Sequence, residues 1–264
     1  MTLTQVDDSK IYYEILGDGF PLLMIHGLSE HSHSWDPKLT KGLSKKFKVI
    51  LFDVPGSGRS ELSKKEPSVK LFADQTSKLM DNLGNPKAHM LGTSMGGSIA
   101  QEFVLNYPKK VEKLILCSSQ CGGSRFIPPS IMRIQKPMDN KTNRSPEDSV
   151  RNSIRLLFTE DFIRNNSDYI ENYIQRKLTV PVTTKGLLAQ TKALKNFSSY
   201  ERLPLINVPT LILHGNKDVL VPPQNATILA EAIPNSKLMF FENSAHYLAE
   251  EIESVLETII SFLD

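Results

Sequence analysis

Cysteine is almost missing: the 264 residues hold two, Cys117 and Cys121. Two thiols make no disulfide framework, and their spacing is not that of a Cys-X-X-Cys metal pair. Excess charge is missing too, since 31 Lys and Arg against 29 Asp and Glu leave a formal +2. A dedicated nucleic-acid binder would usually carry a basic face or tail. No run approaches the roughly 18 uninterrupted apolar residues of a membrane span. The first residues, Met1 to Asp8, offer neither a basic nor an apolar segment of the secretory kind. A reduced, cytoplasmic setting is therefore expected, with no membrane and no nucleic-acid partner. Internal repeats and low-complexity stretches are absent as well.

What the chain does have is short apolar runs alternating with helical patterns. Ile11, Tyr13 and Ile15 alternate with Tyr12 and Glu14, and a Gly17-Asp18-Gly19 turn leads into Pro21-Leu22-Leu23-Met24-Ile25. Buried strands are predicted at 48–53, 87–92, 113–117, 208–213 and 237–241. Residues 70–83 read as a helix with Gly84 as its stop, and a closing helix begins near Ala249. Nearly continuous apolar strands separated by helices predict a parallel sheet covered on both faces. The alternation breaks between about 122 and 203. There Ser145-Pro146-Glu147-Asp148 reads as a capped helix start, with Val150, Ile154, Leu157 and Phe158 at helical spacing behind it. The division expected is a core of 1–121 and 204–264 with a helical lid over 122–203.

The chemistry concentrates at Gly92-Thr93-Ser94-Met95-Gly96-Gly97, where an apolar strand runs into a helix. Small residues two before and two after Ser94 permit a turn tight enough to raise its hydroxyl above the sheet edge. A nucleotide P-loop would require Gly-Lys-Ser/Thr at the helix start, which this segment lacks. A serine nucleophile needs a base, and the base needs an orienter. Asp218 and His246 each follow a late apolar strand, giving the chain order Ser94, Asp218, His246. Of the remaining histidines, His26 reads as a buttress, His89 as a packed strand residue and His214 as structural. His31-Ser32-His33 lacks the further ligands of a metal site.

With His26-Gly27 after an early strand and the loop Asp53-Val54-Pro55-Gly56-Ser57-Gly58, these residues resemble the α/β-hydrolase superfamily, in its serine esterase and lactonase branch. Pro55 departs from the arginine many relatives carry before the first glycine of that loop. The resemblance implies a mostly parallel eight-stranded sheet with helices on both faces and a helical lid insertion. It implies a catalytic triad of Ser94, Asp218 and His246, and an oxyanion hole from the backbone N–H groups of Leu28 and Met95. Trp35, Phe126, Phe158 and Phe162 are candidates for the substrate pocket, and a plain lid-to-core packing stripe explains the lid aromatics equally well. No metal or cofactor is implied. The expected partner is a small ester or lactone, while oligomeric state is not legible. Carbon–carbon bond hydrolysis, cofactor-free perhydrolysis and acyl transfer on the same triad, or a small-molecule receptor of this fold, stay open.

Overall fold

A computed structural model describes residues 2–130, 145–180 and 182–264. Eight strands form one sheet: β1 (Thr2–Val6), β2 (Ser9–Leu16), β3 (Phe20–Ile25), β4 (Phe47–Phe52), β5 (Ala88–Thr93), β6 (Val111–Cys117), β7 (Thr210–Gly215) and β8 (Ser236–Phe241). Their order is β1-β2-β4-β3-β5-β6-β7-β8. β1 pairs with β2, and β2 with β4, antiparallel, while every later pairing is parallel. The sequence pattern predicted β-structure at the N-terminus but not the separate strand β1. Its outward residues are exposed, so it lacks the apolar run that marks the inner strands.

Alternate side chains of the inner strands leave the sheet on opposite faces, as the pleat requires. Leu23 and Ile25 join one apolar cluster with Ile50, Phe52, Leu114 and Leu116, whereas Leu22 and Met24 join another with Val49, Leu51 and Ile115. Helices α2 (Val69–Asn82), α3 (Met95–Asn106) and α8 (Gln224–Ala232) close the first face through residues such as Phe72, Ile99, Phe103 and Leu229. Helices α1 (Pro37–Leu43) and α9 (Ile252–Leu263) close the second through Leu43, Val255 and Ile259. α2 starts where the Ser68 hydroxyl accepts from Leu71 N–H, and it stops ahead of Gly84, whose φ of +67° suits an achiral residue.

Between β6 and β7 the described residues include four α-helices: α4 (Pro146–Leu157), α5 (Glu160–Asn165), α6 (Ser167–Leu178) and α7 (Thr184–Lys195). α4 opens with the capping box expected at Ser145 and Asp148. An isolated bridge between Gly122 and Ser198 draws the two ends of the insertion together. Its helices have an apolar cluster of their own, built on Ile154, Phe158, Ile170 and Tyr173. Tyr247 and Ala249, from the chain just past β8, pack into that cluster. No described helix is long and apolar enough to cross a membrane.

The strand order places the site. β3 lies between β4 and β5, so the chain leaving β3 and the chain leaving β5 emerge side by side where the strand order reverses. Ile25 pairs with Gly92, which sets His26-Gly27-Leu28 next to Thr93-Ser94.

Candidate active site

Ser94 links β5 to α3 with φ 55° and ψ −118°, a conformation that non-glycine residues rarely adopt. Neighbouring contacts hold it there: Ser94 N–H donates to Cys117 O at 2.9 Å, and Ser119 Oγ donates to Ser94 O at 2.9 Å. The flanking glycines are dictated by close approach. A Cβ at Gly92 would run into the Gly96 carbonyl, and one at Gly96 into the carbonyls of Ile25 and His26. The turn therefore works only where helix backbone touches strand backbone with nothing between.

His246 follows β8, and its Nδ1 lies 2.7 Å from Asp218 Oδ2. A carboxylate only accepts, so Nδ1 carries the proton and Nε2 of the neutral ring is left as the base. The Asp218 carboxylate is saturated. Oδ1 accepts from the N–H groups of Leu220 and Val221 at 2.8 and 2.9 Å, and His214 Nε2 lies 3.2 Å from Oδ2. Burial alone would raise this carboxyl, but His246 together with the His214 hydrogen bond overcomes it and holds the group at about 2. The histidine loop is braced from below, where Ser118 Oγ donates to His246 O at 2.8 Å.

Ser94 and His246 border one cavity of about 820 Å³ that Leu28, Met95, Trp35 and Phe126 also line. Among the described residues the Ser94 hydroxyl has no hydrogen-bond partner, so the structure joins His246 to Asp218 but does not close the Oγ–Nε2 contact. Such contacts in unliganded sites often tighten only with substrate in place. Among the described residues, the backbone N–H groups of Leu28 and Met95 likewise have no acceptor in the protein. Met95 opens α3, where first-turn N–H groups lack partners within the helix and the dipole favours negative charge.

Two of the four aromatic candidates lie elsewhere. Phe158 is 2 % exposed and packs inside the insertion against Phe162, Tyr173 and Tyr247, with ring centroids 5.8, 5.3 and 5.3 Å away. Phe162 borders a separate outer groove with Tyr169 and Arg176. Neither lines the cavity beside Ser94, because their helical spacing serves the insertion's own core. These two pack within the insertion, while Phe126, weighed with them, borders the cavity.

The other histidines have structural tasks. His26 Nε2 accepts from Val54 N–H at 2.9 Å, so its Nδ1–H is free to donate to Gly27 O at 2.9 Å. Burial lowers its basicity and keeps it neutral. His89 sits between the rings of Phe20 and Phe47, and burial pushes it down to about 4. His31 Nδ1 accepts from His33 N–H, and its Nε2 lies 3.1 Å from Lys177 O. No group of three or more potential metal ligands occurs among the described residues.

Several residues with a part in the site were not singled out from sequence. Ser118 and Ser119 brace the histidine and serine turns, and their place directly after the β6 run was the available signal. Glu30 and Lys177 form an ion pair at 2.8 Å on the cavity wall, with side chains 13 % and 5 % exposed. Nothing in a single sequence joins residues so far apart.

A sequence profile described as alpha/beta hydrolase fold matches residues 21–251. The pimeloyl-[acyl-carrier protein] methyl ester esterase of Hamiltonella defensa is 31 % identical, with 96 % of this chain and 96 % of that protein covered. The 2-hydroxy-6-oxononadienedioate/2-hydroxy-6-oxononatrienedioate hydrolase 2 of Pseudomonas putida is 30 % identical over 97 % of this chain and 92 % of its own. Among solved structures, a thermophilic esterase from Thermogutta terrifontis superposes with a TM-score of 0.83 at 26 % identity, covering 100 % of this chain and 98 % of that one.

Proposed function

The chain belongs to the α/β-hydrolase fold family and is a hydrolase, and from that premise we propose that it cleaves carboxylic esters, of short-chain acids or as lactones, through an acyl-enzyme on Ser94. The observation that carries this reading is that His246, 2.7 Å from the buried Asp218 carboxylate, borders the same cavity as Ser94.

Ser94 Oγ attacks the ester carbonyl carbon while His246 Nε2 takes its proton. The carbonyl oxygen gains the negative charge and sits between the Leu28 and Met95 N–H groups, donors that need no reorganisation as the charge develops. The imidazolium is stabilised by Asp218, which stays ionised because its carboxyl titrates at about 2. The tetrahedral adduct collapses, and the alcohol leaves with the proton from His246. Water then attacks the acyl-enzyme, passing its proton through His246 back to Ser94 as the acid departs. No step draws on a cofactor.

Support for esters comes from the Hamiltonella relative, named for a methyl ester, and from the esterase superposition. The mainly apolar lining of the cavity suits an acyl group. Short and long p-nitrophenyl esters, lactones and vinylogous diketones assayed on wild type and Ser94→Ala test the reading. Short esters or lactones are expected to turn over fastest, with loss on the order of 10⁶-fold in the variant. Near-wild-type ester hydrolysis by Ser94→Ala would end it. A second reading, carbon–carbon bond hydrolysis, is favoured by the Pseudomonas relative, and preferential turnover of a vinylogous diketone would select it.

A further inference from the structure

The turn carrying Leu28 is gripped from two sides. Gly27 O accepts from His26 Nδ1 at 2.9 Å and from Glu30 N–H at 3.2 Å. A trans peptide points its N–H opposite to its C=O, so whatever holds the Gly27 carbonyl also aims the Leu28 N–H. His26 supplies the core half of that grip and Glu30 the other half.

The insertion, in turn, holds Glu30 and Ser29. Lys177, on α6, donates to Ser29 O and to Glu30 Oε1, and Tyr173 OH donates to the same carboxylate at 3.1 Å. Gln190, on α7, accepts from Ser29 N–H at 3.2 Å and donates to Pro55 O at 3.4 Å. Both peptide groups flanking the Ser29 Cα are thus fixed by side chains of the insertion. Ser29 needs such restraint, because its φ of +59° is sparsely populated by residues with a Cβ. Burial by itself would raise the Glu30 carboxyl, but the adjoining Lys177 ammonium more than offsets this and keeps it ionised.

We propose that Lys177 and Gln190 are positioning residues for the oxyanion hole: the insertion holds the Gly27–Glu30 turn in the one shape that aims Leu28 N–H at the developing charge. This rests on the reading of Leu28 as an oxyanion donor. Lys177 acts as the main clamp because it touches both a backbone carbonyl and the carboxylate. Gln190 acts as the second clamp from a separate helix.

The experiment compares wild type with Lys177→Met, Gln190→Leu and the double variant Glu30→Gln/Lys177→Met. The double variant removes both charges together, so no unpaired carboxylate is left buried if Lys177→Met alone fails to fold. Each folded variant is expected to lose about 10- to 100-fold in kcat with KM within about twofold, the pattern of a misplaced transition-state donor. Affinity for a boronic acid, which forms a tetrahedral adduct on Ser94, is expected to fall by the same factor, while that for the carboxylic acid product is unchanged. Lys177→Arg is expected to restore part of the rate. Equal losses in boronate and product affinity, or an unchanged kcat in the folded double variant, would reduce the contacts to lid packing and overturn the proposal. Fluorophosphonate labelling of wild-type Ser94 separates the two levels. Its absence would overturn the catalytic reading and this proposal together, whereas a labelled wild type with unaffected variants would overturn this proposal alone.

Discussion

His214 Nε2 lies 3.2 Å from Asp218 Oδ2, the oxygen that also receives His246 Nδ1–H. One carboxylate oxygen thus serves two imidazoles, and His214 also reaches Val221 O at 2.8 Å. His214 ties the end of β7 to the acid loop. Replacing it by leucine keeps the volume but leaves the Val221 carbonyl without its partner, at a cost of about 1–3 kcal/mol. Chemical denaturation should show that loss, and kcat should fall by less than it does in Asp218→Asn.

Asp218→Asn is expected to lower kcat by about 10⁴, since an amide no longer fixes the Nδ1–H tautomer. It should also change acid stability. The folded carboxyl titrates at about 2 against an ordinary 3.8. A depressed carboxyl stabilises the fold above its unfolded value, and that stabilisation drains away as pH falls through the folded one. Between pH 4 and 2 the wild type should therefore lose roughly 2 kcal/mol more than the variant. Denaturation midpoints across that window measure the difference, and parallel curves would contradict it.

Gly96 and Gly84 make a contrasting pair. A methyl at Gly96 meets two backbone carbonyls of the β3 terminus, while one at Gly84 meets nothing within 4 Å. Gly84→Ala should cost only the left-handed penalty of about 1–2 kcal/mol and leave kcat alone. Gly96→Ala should force α3 away from the oxyanion turn and abolish activity, with or without folding. Melting curves and a single ester assay distinguish them.

The two thiols should be inert. Burial pushes Cys117 up to about 12 and raises Cys121 as well, so neither is a thiolate at neutral pH. Iodoacetamide at pH 8 is expected to leave the native protein unmodified and to alkylate both residues in denaturant. Rapid native labelling would show that the segment after β6 opens.

How much of this could be read from the chain depended on range. The elbow at Ser94 was legible because its rule is local: glycines at 92 and 96 are needed by atoms within one strand–helix turn. Asp218 and His246 were legible because each follows an apolar strand directly. Phe158 and Phe162 misled because helical periodicity reports that a face is buried but not against what, and theirs is buried inside the insertion. Lys177, Glu30 and Gln190 escaped because a lysine or glutamine in a helix reads as solvated, and only the fold brings them to the turn after β3. Residues 131–144, part of the interval expected to be lid, lie outside the described residues.

Tyr247, next to His246, donates its hydroxyl to Ser34 O and its backbone N–H to Leu157 O at 3.0 Å, and its ring centroid lies 5.3 Å from that of Phe158. The segment bearing His246, the proposed general base, is therefore tied to the insertion as well as to the sheet. Chimeras that graft a foreign cap onto this scaffold must carry the partners of residue 247 along with it. A transplant chosen for its binding surface alone would recast the footing of His246 while leaving Ser94, Asp218 and His246 themselves unchanged.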